Sequence, residues 1–529
     1  MSDPIERQKS LPHADWRFLL PPPSEGAFRH LVLLGGPPRL AARLVEVGLA
    51  RRVSRTIPAE QSADAVVILH DADVRLDAAR SCLVPGGVLY WEIARGGCSW
   101  LGMTPGRVRR QLLEVDLVPT GAYWLRPNFT ECHRYLPVDA GGALRWYLET
   151  WFTVSLLQRV LGPVLRLSVP LSVRSLPLPG ICYAVTATAG HARAARPAIL
   201  ACGHLPISLR EQDLRLLMLN RGGDDDMSRR VIVFPFATRG IQPLAVLKFW
   251  RLPNRNVDTE REQTTLAAIR RSLDDSMRRT IPEPLGMFNM GQLAVGIESY
   301  ARGRSLALLS ARRGTPIGRK IADLDLLVSW ISEFHRQASL GRPPWNDAQR
   351  RRWVEGPLSA YTEVFGTKGG EDRLFAEVRQ RAVSLMGTPL PIVWVHWDLT
   401  TWNIFRDGRD IAVIDWAGAG PGLPLFDLLY LVTRWSHAVR RLGGAQAKLD
   451  DFRGLFLGGP REDVMVASVH RAIDRYLTRI EVDRRFFPML LVILWVVRAV
   501  ERLDPTQAVA YVRALAEHPE HLFARSLWT

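Results

Sequence analysis

This chain of 529 residues is poor in cysteine, and the few cysteines it has are scattered. Cys82, Cys98, Cys132, Cys182 and Cys202 are odd in number and form no C-x-x-C pair. That argues against a disulfide framework or a cysteine zinc site and favours a reducing, cytoplasmic compartment. Long hydrophobic runs are missing too. The most apolar stretch, FFPMLLVILWVV at 486–497, is bounded by Arg484, Arg485 and Arg498. It is too short to span a bilayer and reads as a buried helix. The start, MSDPIERQKSLPHADW, has no apolar core behind basic residues, so no secretory signal is expected. WFTVSLLQRVLGPVLRL, from Trp151, is interrupted by Arg159 and Arg166. It reads as an amphipathic helix facing its own domain, with peripheral membrane contact as the alternative. The chain also lacks zinc-finger spacing, an RNA-binding aromatic signature and a lysine-rich tail. Its net charge of +16, from 69 Lys+Arg against 53 Asp+Glu, is carried overwhelmingly by dispersed arginines, so no specific nucleic-acid partner is expected.

Single hydrophobic cores stop growing at about 250–300 residues, so this length implies two or three domains. Residues 1–190 alternate strand-like runs (HLVLL, DAVVILH, GGVLYWEI, ICYAVTATA) with helical ones (RLAARLVEVGL, RVRRQLLEVDL). That alternation predicts a parallel sheet covered by helices. An Ala/Arg/Pro-rich stretch at 191–206 is the expected linker. Residues 207–310 carry short strands (VIVFPFA, LAVLKFW), a helix (TEREQTTLAAIRRSL) and a further strand (LAVGIESY); 311–529 is mainly helical. No internal repeat is visible.

The helical part is broken at HWDLTTWNIF, 396–405, which is preceded by the short strand PIVWV. IFRDGRDIAVID follows as two strands around an Asp-Gly turn, a strong hairpin signal. His396 to Asn403 is therefore a loop between strands, and the hairpin brings Asp415 back beside it. Phosphoryl transfer from ATP needs a base to orient the acceptor and hard oxygen ligands for Mg²⁺. Asp398 fits the base, Asn403 and Asp415 fit the ligands, and His396 fits a brace for the loop.

HWDLTTWNIF followed by AVIDWAGAGPGLPLFDLLYL resembles the aminoglycoside phosphotransferase and choline kinase-like family, distant relatives of protein kinases. The resemblance implies that Asp398 is the catalytic base, that Asn403 and Asp415 hold Mg²⁺, and that Asp427 stabilises the loop. It also implies a nucleotide lysine in an earlier strand, met by Lys248 in LAVLKFW. A following helix should hold its glutamate partner, Glu262 with Glu260 as the alternative. A hinge should present backbone to adenine, met by VGIESYARGRSL around Glu298, Tyr300 and Ala301. The helix VSWISEFHRQA, with His335, resembles the one that follows this hinge. The implied architecture is an α/β Rossmann-like N-terminal domain plus an α+β protein-kinase-like C-terminal domain, with an N-lobe at 207–310 and a C-lobe at 311–529.

Three features depart from the family. The loop RGGDDDMSRR has Gly222 and Gly223 for a phosphate cradle but adds Asp224, Asp225 and Asp226. Trp397 separates His396 from Asp398, and Ala417 stands where many relatives have an acid. These keep a non-catalytic pseudokinase scaffold as one alternative.

Kinases acting on polycationic acceptors line the acceptor region with acids. Here residues 434–529 hold fifteen Arg+Lys against eleven Asp+Glu, and 301–320 has six basic residues and no acid. The expected acceptor is a small-molecule hydroxyl on a neutral or anionic compound, such as a sugar, a nucleoside or a lipid-linked headgroup. Nothing in the sequence sets an oligomeric state.

In the N-terminal region, LVPGGVLYWEIA and LLEVDLVPTGAYWLRPN resemble class I methyltransferases over about 30–190. An S-adenosylmethionine site wants spaced glycines and an acid after the second strand. Gly35-Gly36 is instead followed by Pro37-Pro38, which lack N–H donors. Arg51, Arg52 and Ser54 occupy the acid's place, with Glu60 farther along. The expectation is a degenerate methyltransferase-like domain. A working methyltransferase with a kinase-like accessory domain is the other alternative.

Overall fold

The computed structural model describes residues 12–23, 26–93, 105–129, 132–150, 182–190, 197–201, 209, 213–220, 230–458, 463–501 and 505–523. The helix expected from Trp151, the glycine and aspartate loop at 221–229, and most of 191–206 lie outside the described residues. The chain divides into two compact units, Met1–Gln263 with Pro284–Tyr300, and Thr264–Glu283 with Ala301–Thr529.

The first unit is built on one twelve-stranded sheet. Its strands are β1 (Phe28–Leu34), β2 (Ala50–Ser54), β3 (Ala63–Ile68), β4 (Leu83–Ile93), β5 (Leu117–Arg126), β6 (Arg134–Pro137), β7 (Cys182–Ala189), β8 (Leu214–Asn220), β9 (Arg230–Ala237), β10 (Val246–Trp250), β11 (Pro284–Met290) and β12 (Leu293–Glu298). Their spatial order is β11-β12-β10-β9-β8-β6-β5-β7-β4-β3-β1-β2.

β1 to β4 are parallel, as the alternation of strand and helix predicts, with helices Leu40–Glu46 and Leu76–Cys82 in the crossovers. A parallel strand covered on both faces must be apolar throughout, and Ala65 to Ile68 are buried without a break. β7 departs from the expected parallel pattern: it runs antiparallel between β4 and β5. β8 joins β6, so strands from either side of 191–206 share one sheet.

Alternation sorts the side chains onto two faces. Leu31, Leu33, Val67, Val233, Leu247 and Phe249 share one core, and Val32, Leu34, Val66, Phe234 and Phe236 share the other. Each core thus runs from the parallel strands to the far strands.

A 3₁₀ helix, Pro12–Leu19, pins the end of β10. Asp15, fully buried, accepts from Arg251 Nε at 2.9 Å and Nη2 at 2.7 Å, and also from Asn220 Nδ2. Phe18 meets Phe249 edge-on at 4.7 Å. Breaking a buried ion pair from one side strands the other charge at about 3–5 kcal/mol. Asp15→Ala is therefore expected to lose that much unfolding free energy in a denaturant titration, whereas Arg336→Ala, on an exposed i,i+3 pair, should lose under about 1 kcal/mol.

The second unit is mainly helical. Phe487–Glu501 is apolar around its circumference, with twelve buried residues from Phe487 to Ala499, so it forms the core that the other helices surround. This is the buried helix expected from FFPMLLVILWVV. Among the described residues no helix is long and apolar enough to cross a membrane. Two small sheets interrupt the helices. β13 (Arg304–Ser305), β15 (Ile404–Asp407) and β16 (Asp410–Val413) form one, and β14 (Val393–Val395) with β17 (Gly420–Gly422) forms the other.

Candidate functional site

In the first unit, β10 lies between β9 and β12, antiparallel to both. Leu247 and Phe249 enter one core, so Lys248 emerges on the opposite face, buried to 8% exposure. A buried ammonium needs partners. Its Nζ lies 3.2 Å from Glu262 Oε1, on helix Asn256–Arg271, and 2.7 Å from Glu298 Oε2, at the end of β12. Glu262 is thus the helical partner and Glu260 is exposed. Arg230 also pairs with Glu262.

Glu298 was expected through its backbone at a hinge; the structure adds its carboxylate to the lysine cluster. Burial raises its pKa, which Lys248 opposes and Glu262 reinforces. The hydroxyl of Tyr300 accepts from Trp146 Nε1 at 2.7 Å, so this side chain turns toward helix Gly141–Thr150.

In the second unit, β14, the hairpin β15–β16 and helix Phe426–Arg440 hold the loop His396–Asn403. Asp427 accepts from His396 N at 2.7 Å and Trp397 N at 3.1 Å, and both bonds are buried. His396 Nδ1 accepts from Asp398 N at 3.3 Å, so its Nε2 donates to Ile414 O at 2.9 Å. The imidazole thus braces the loop against the hairpin. Thr401 O accepts from Ala307 N and Ser305 Oγ. Asn403 Nδ2 donates to Asp398 O at 2.9 Å and Oδ2 at 3.1 Å, so neither bond uses its Oδ1. Asn403 O accepts from Ile414 N at 2.9 Å, tying the two ends of the hairpin together and placing Asp415 beside Asn403. Asp415 stands at φ 69°, a left-handed conformation that Asp tolerates better than most residues.

Burial raises the pKa of Asp398 and nearby Asp415 adds to it; His396, Arg498 and the Asn403 hydrogen bond oppose the shift. A carboxylate raised toward neutrality suits proton acceptance.

Several supporting residues carry no local sequence signal. Tyr476 OH accepts from Leu425 N at 3.2 Å and donates to His335 Nδ1 at 2.6 Å, and His335 Nε2 lies 3.4 Å from Asp427 Oδ2. Arg498 Nη1 donates to Trp397 O at 2.6 Å while its guanidinium lies 3.5 Å from the Tyr430 ring centroid.

Among the described residues no cluster of three His, Cys, Asp or Glu is placed to hold a metal. Asp398, Asn403 and Asp415 amount to two carboxylates and an amide. Such a set fits Mg²⁺, which takes few protein ligands and completes its octahedron with waters and phosphate oxygens, and it does not fit zinc.

The turn after β1 does not fit S-adenosylmethionine. Gly36 N donates to Asp71 Oδ1 at 2.8 Å and Oδ2 at 2.9 Å, so a carboxylate of the chain already takes that N–H. Arg55 donates to the carbonyls of Gly35, Gly36 and Pro37. Gly35 has φ +82°, and a Cβ there would meet Asp71 Oδ1 at 2.3 Å.

Residues 239–459 match the family model described as the phosphotransferase enzyme family, APH. No curated protein matches the chain. Solved structures similar to it include a choline/ethanolamine kinase family protein from Mesorhizobium loti, 14% identical over 61% of this chain and 93% of that one, with a TM-score of 0.33. Choline kinase from Cryptosporidium parvum Iowa II is 10% identical over 60% and 94%, with a TM-score of 0.34. An amicoumacin kinase in complex with AMP-PNP, Ca²⁺ and Ami is 11% identical over 59% and 89%, with a TM-score of 0.34. The C-terminal region is therefore phosphotransferase-like in sequence, and it contains Lys248, Asp398, Asn403, Asp415 and Asp427.

Proposed function

We propose that this protein moves the γ-phosphoryl group of ATP to a hydroxyl of a small neutral or anionic molecule. The observation that carries this reading is Asp398, a largely buried carboxylate on a braced loop, hydrogen-bonded to Asn403, whose ionisation is shifted toward neutral pH. Asp398 accepts the acceptor's proton as the hydroxyl oxygen attacks the γ-phosphorus and the bond to the β-phosphate oxygen breaks. Asn403 Oδ1 and the Asp415 carboxylate would hold Mg²⁺, which supplies charge neutralisation to the phosphates. Lys248, oriented by Glu262 and Glu298, would supply the positive charge for the α- and β-phosphates, and the backbone near Tyr300 would meet the adenine. The excess of basic residues at 434–529, fifteen Arg+Lys against eleven Asp+Glu, supports an acceptor that is not polycationic.

In this reading 1–190 is a degenerate methyltransferase-like module, 207–310 and 311–529 are the two kinase lobes, and the enzyme works in the cytoplasm. The Asp71 and Arg55 contacts around Gly36 support the absence of S-adenosylmethionine chemistry.

The test is a thermal-shift titration with ATP, with and without Mg²⁺, beside S-adenosylmethionine. A ligand at a hundred times its Kd adds about 2.7 kcal/mol of stability. A Mg²⁺-dependent rise with ATP is expected. A rise only with S-adenosylmethionine would reverse the assignment, and no rise with either would leave a scaffold.

A further inference from the structure

We propose that the second unit carries a separate binding pocket for a multiply charged phosphate group, formed where the segment after the hinge meets the β15–β16 hairpin. A cavity of about 440 Å³ is lined there by Arg304, Arg312, Arg319 and Arg406, with Thr315 and a single carboxylate, Asp323. That volume lies in the range of small-ligand sites. None of the four arginines belongs to the Lys248 cluster or to the loop 396–403, and the proposal does not depend on the phosphotransfer reading.

The fold forces these charges together. β13 pairs with β15 so that Arg304 stands directly opposite Arg406. Side chains directly opposite in an antiparallel pair have Cβ atoms about 4.5–5.5 Å apart, and like charges in that register are destabilising. Arg319 comes from the first turn of helix Ile317–Gln337, and Arg312 from the turn before it. Asp323 pairs with Arg406. Arg304, Arg312 and Arg319 have no ion-pair partner among the described residues, and Arg312 and Arg319 are exposed. Four guanidiniums against one carboxylate leave an excess of three positive charges around one cavity.

Helix Ile317–Gln337 adds to this. Its N-cap, Pro316, makes no side-chain cap, and Thr315 and Pro316 line the cavity. The amino end of a 21-residue helix favours an anion. Guanidinium forks match phosphate oxygens in pairs, whereas a lone surface arginine would bind only diffusely. Burial, and Arg319 nearby, also lower the pKa of Arg406.

The ligand class is a small molecule bearing a pyrophosphate or adjacent phosphate monoesters. The same chemistry could be offered free in solution or on a lipid headgroup. Because Arg406 lies on the strand that follows Asn403, occupancy would brace the hairpin that carries Asn403 and Asp415.

The experiment uses full-length protein in two arms, calorimetry with inorganic pyrophosphate and sedimentation with phosphatidylcholine vesicles containing phosphatidic acid. Saturable pyrophosphate binding is expected, weakened at least tenfold in the double variant Arg312→Ala/Arg319→Ala and partly retained in Arg312→Lys/Arg319→Lys. The Mg²⁺·ATP thermal shift should be the same in both variants as in wild type. Relief of like-charge repulsion should leave the unliganded double-alanine variant melting at or above the wild-type temperature. Vesicle binding lost in the same variant, without pyrophosphate binding, would assign the pocket to a headgroup. No saturable binding in either arm, or binding indifferent to the substitutions, would overturn the proposal.

Discussion

Asp398→Asn is expected to lower phosphoryl transfer by roughly 10²–10⁴-fold, the range a positioned general base contributes. Nucleotide binding should remain, because the substitution keeps the side chain's shape and leaves Lys248, Glu262 and Glu298 untouched. Two measurements separate this from general damage: the ATP·Mg²⁺ thermal shift should survive, and the pH profile should change. In the wild type, burial and Asp415 place the Asp398 pKa above the ordinary carboxylate range. The base works only when ionised, so kcat/KM should climb with pH through that raised pKa and level off above it. The residual activity of Asp398→Asn should lack this limb. A variant that kept the limb and full turnover would remove Asp398 from the chemistry.

Asp415→Asn is expected to abolish the Mg²⁺-dependent part of ATP binding. Asparagine is the informative replacement because position 415 has φ 69°, which asparagine adopts with little strain and alanine does not. The substitution therefore removes charge while keeping the backbone. Losing one partner beyond the metal's own ligands costs about 10- to 100-fold in metal affinity, and losing a ligating carboxylate should exceed that. The readout is the ATP thermal shift as a function of Mg²⁺ concentration. An unchanged midpoint would show that Asp415 holds no metal.

Much of the loop's arrangement was legible because it is local. His396, Asp398 and Asn403 fall within eight residues, and an Asp-Gly turn dictates a hairpin that returns Asp415. Lys248 was legible only through the family resemblance, and the structure sets it on the face opposite Leu247 and Phe249. Sequence alone allows two positions for the helical glutamate, and the structure selects Glu262 because Glu260 faces solvent.

What the sequence does not reveal depends on pairs far apart in the chain. Glu298 meets Lys248 because β12 pairs with β10, with Glu298 opposite Val246. Tyr476 reaches His335 across 141 residues, and Arg498 reaches Trp397 across 101. No period or spacing encodes such contacts, since each depends on how whole helices pack.

By itself, then, the sequence determined the strand and helix alternation of β1 to β4, the hairpin after Asn403 and the buried helix at 486–497, and which short motif carries acid, amide and acid in a spacing suited to phosphate chemistry. Those are properties of spacing and burial period, and they act over one turn or one hairpin. Tertiary structure alone decided that β7 inserts antiparallel between β4 and β5 and that β8 joins β6 to make one sheet. It also decided that four arginines from separate segments close on one cavity. Alternation shows which face of a strand is buried but leaves the neighbour and its direction open, and these are settled only when the long-range pairings form.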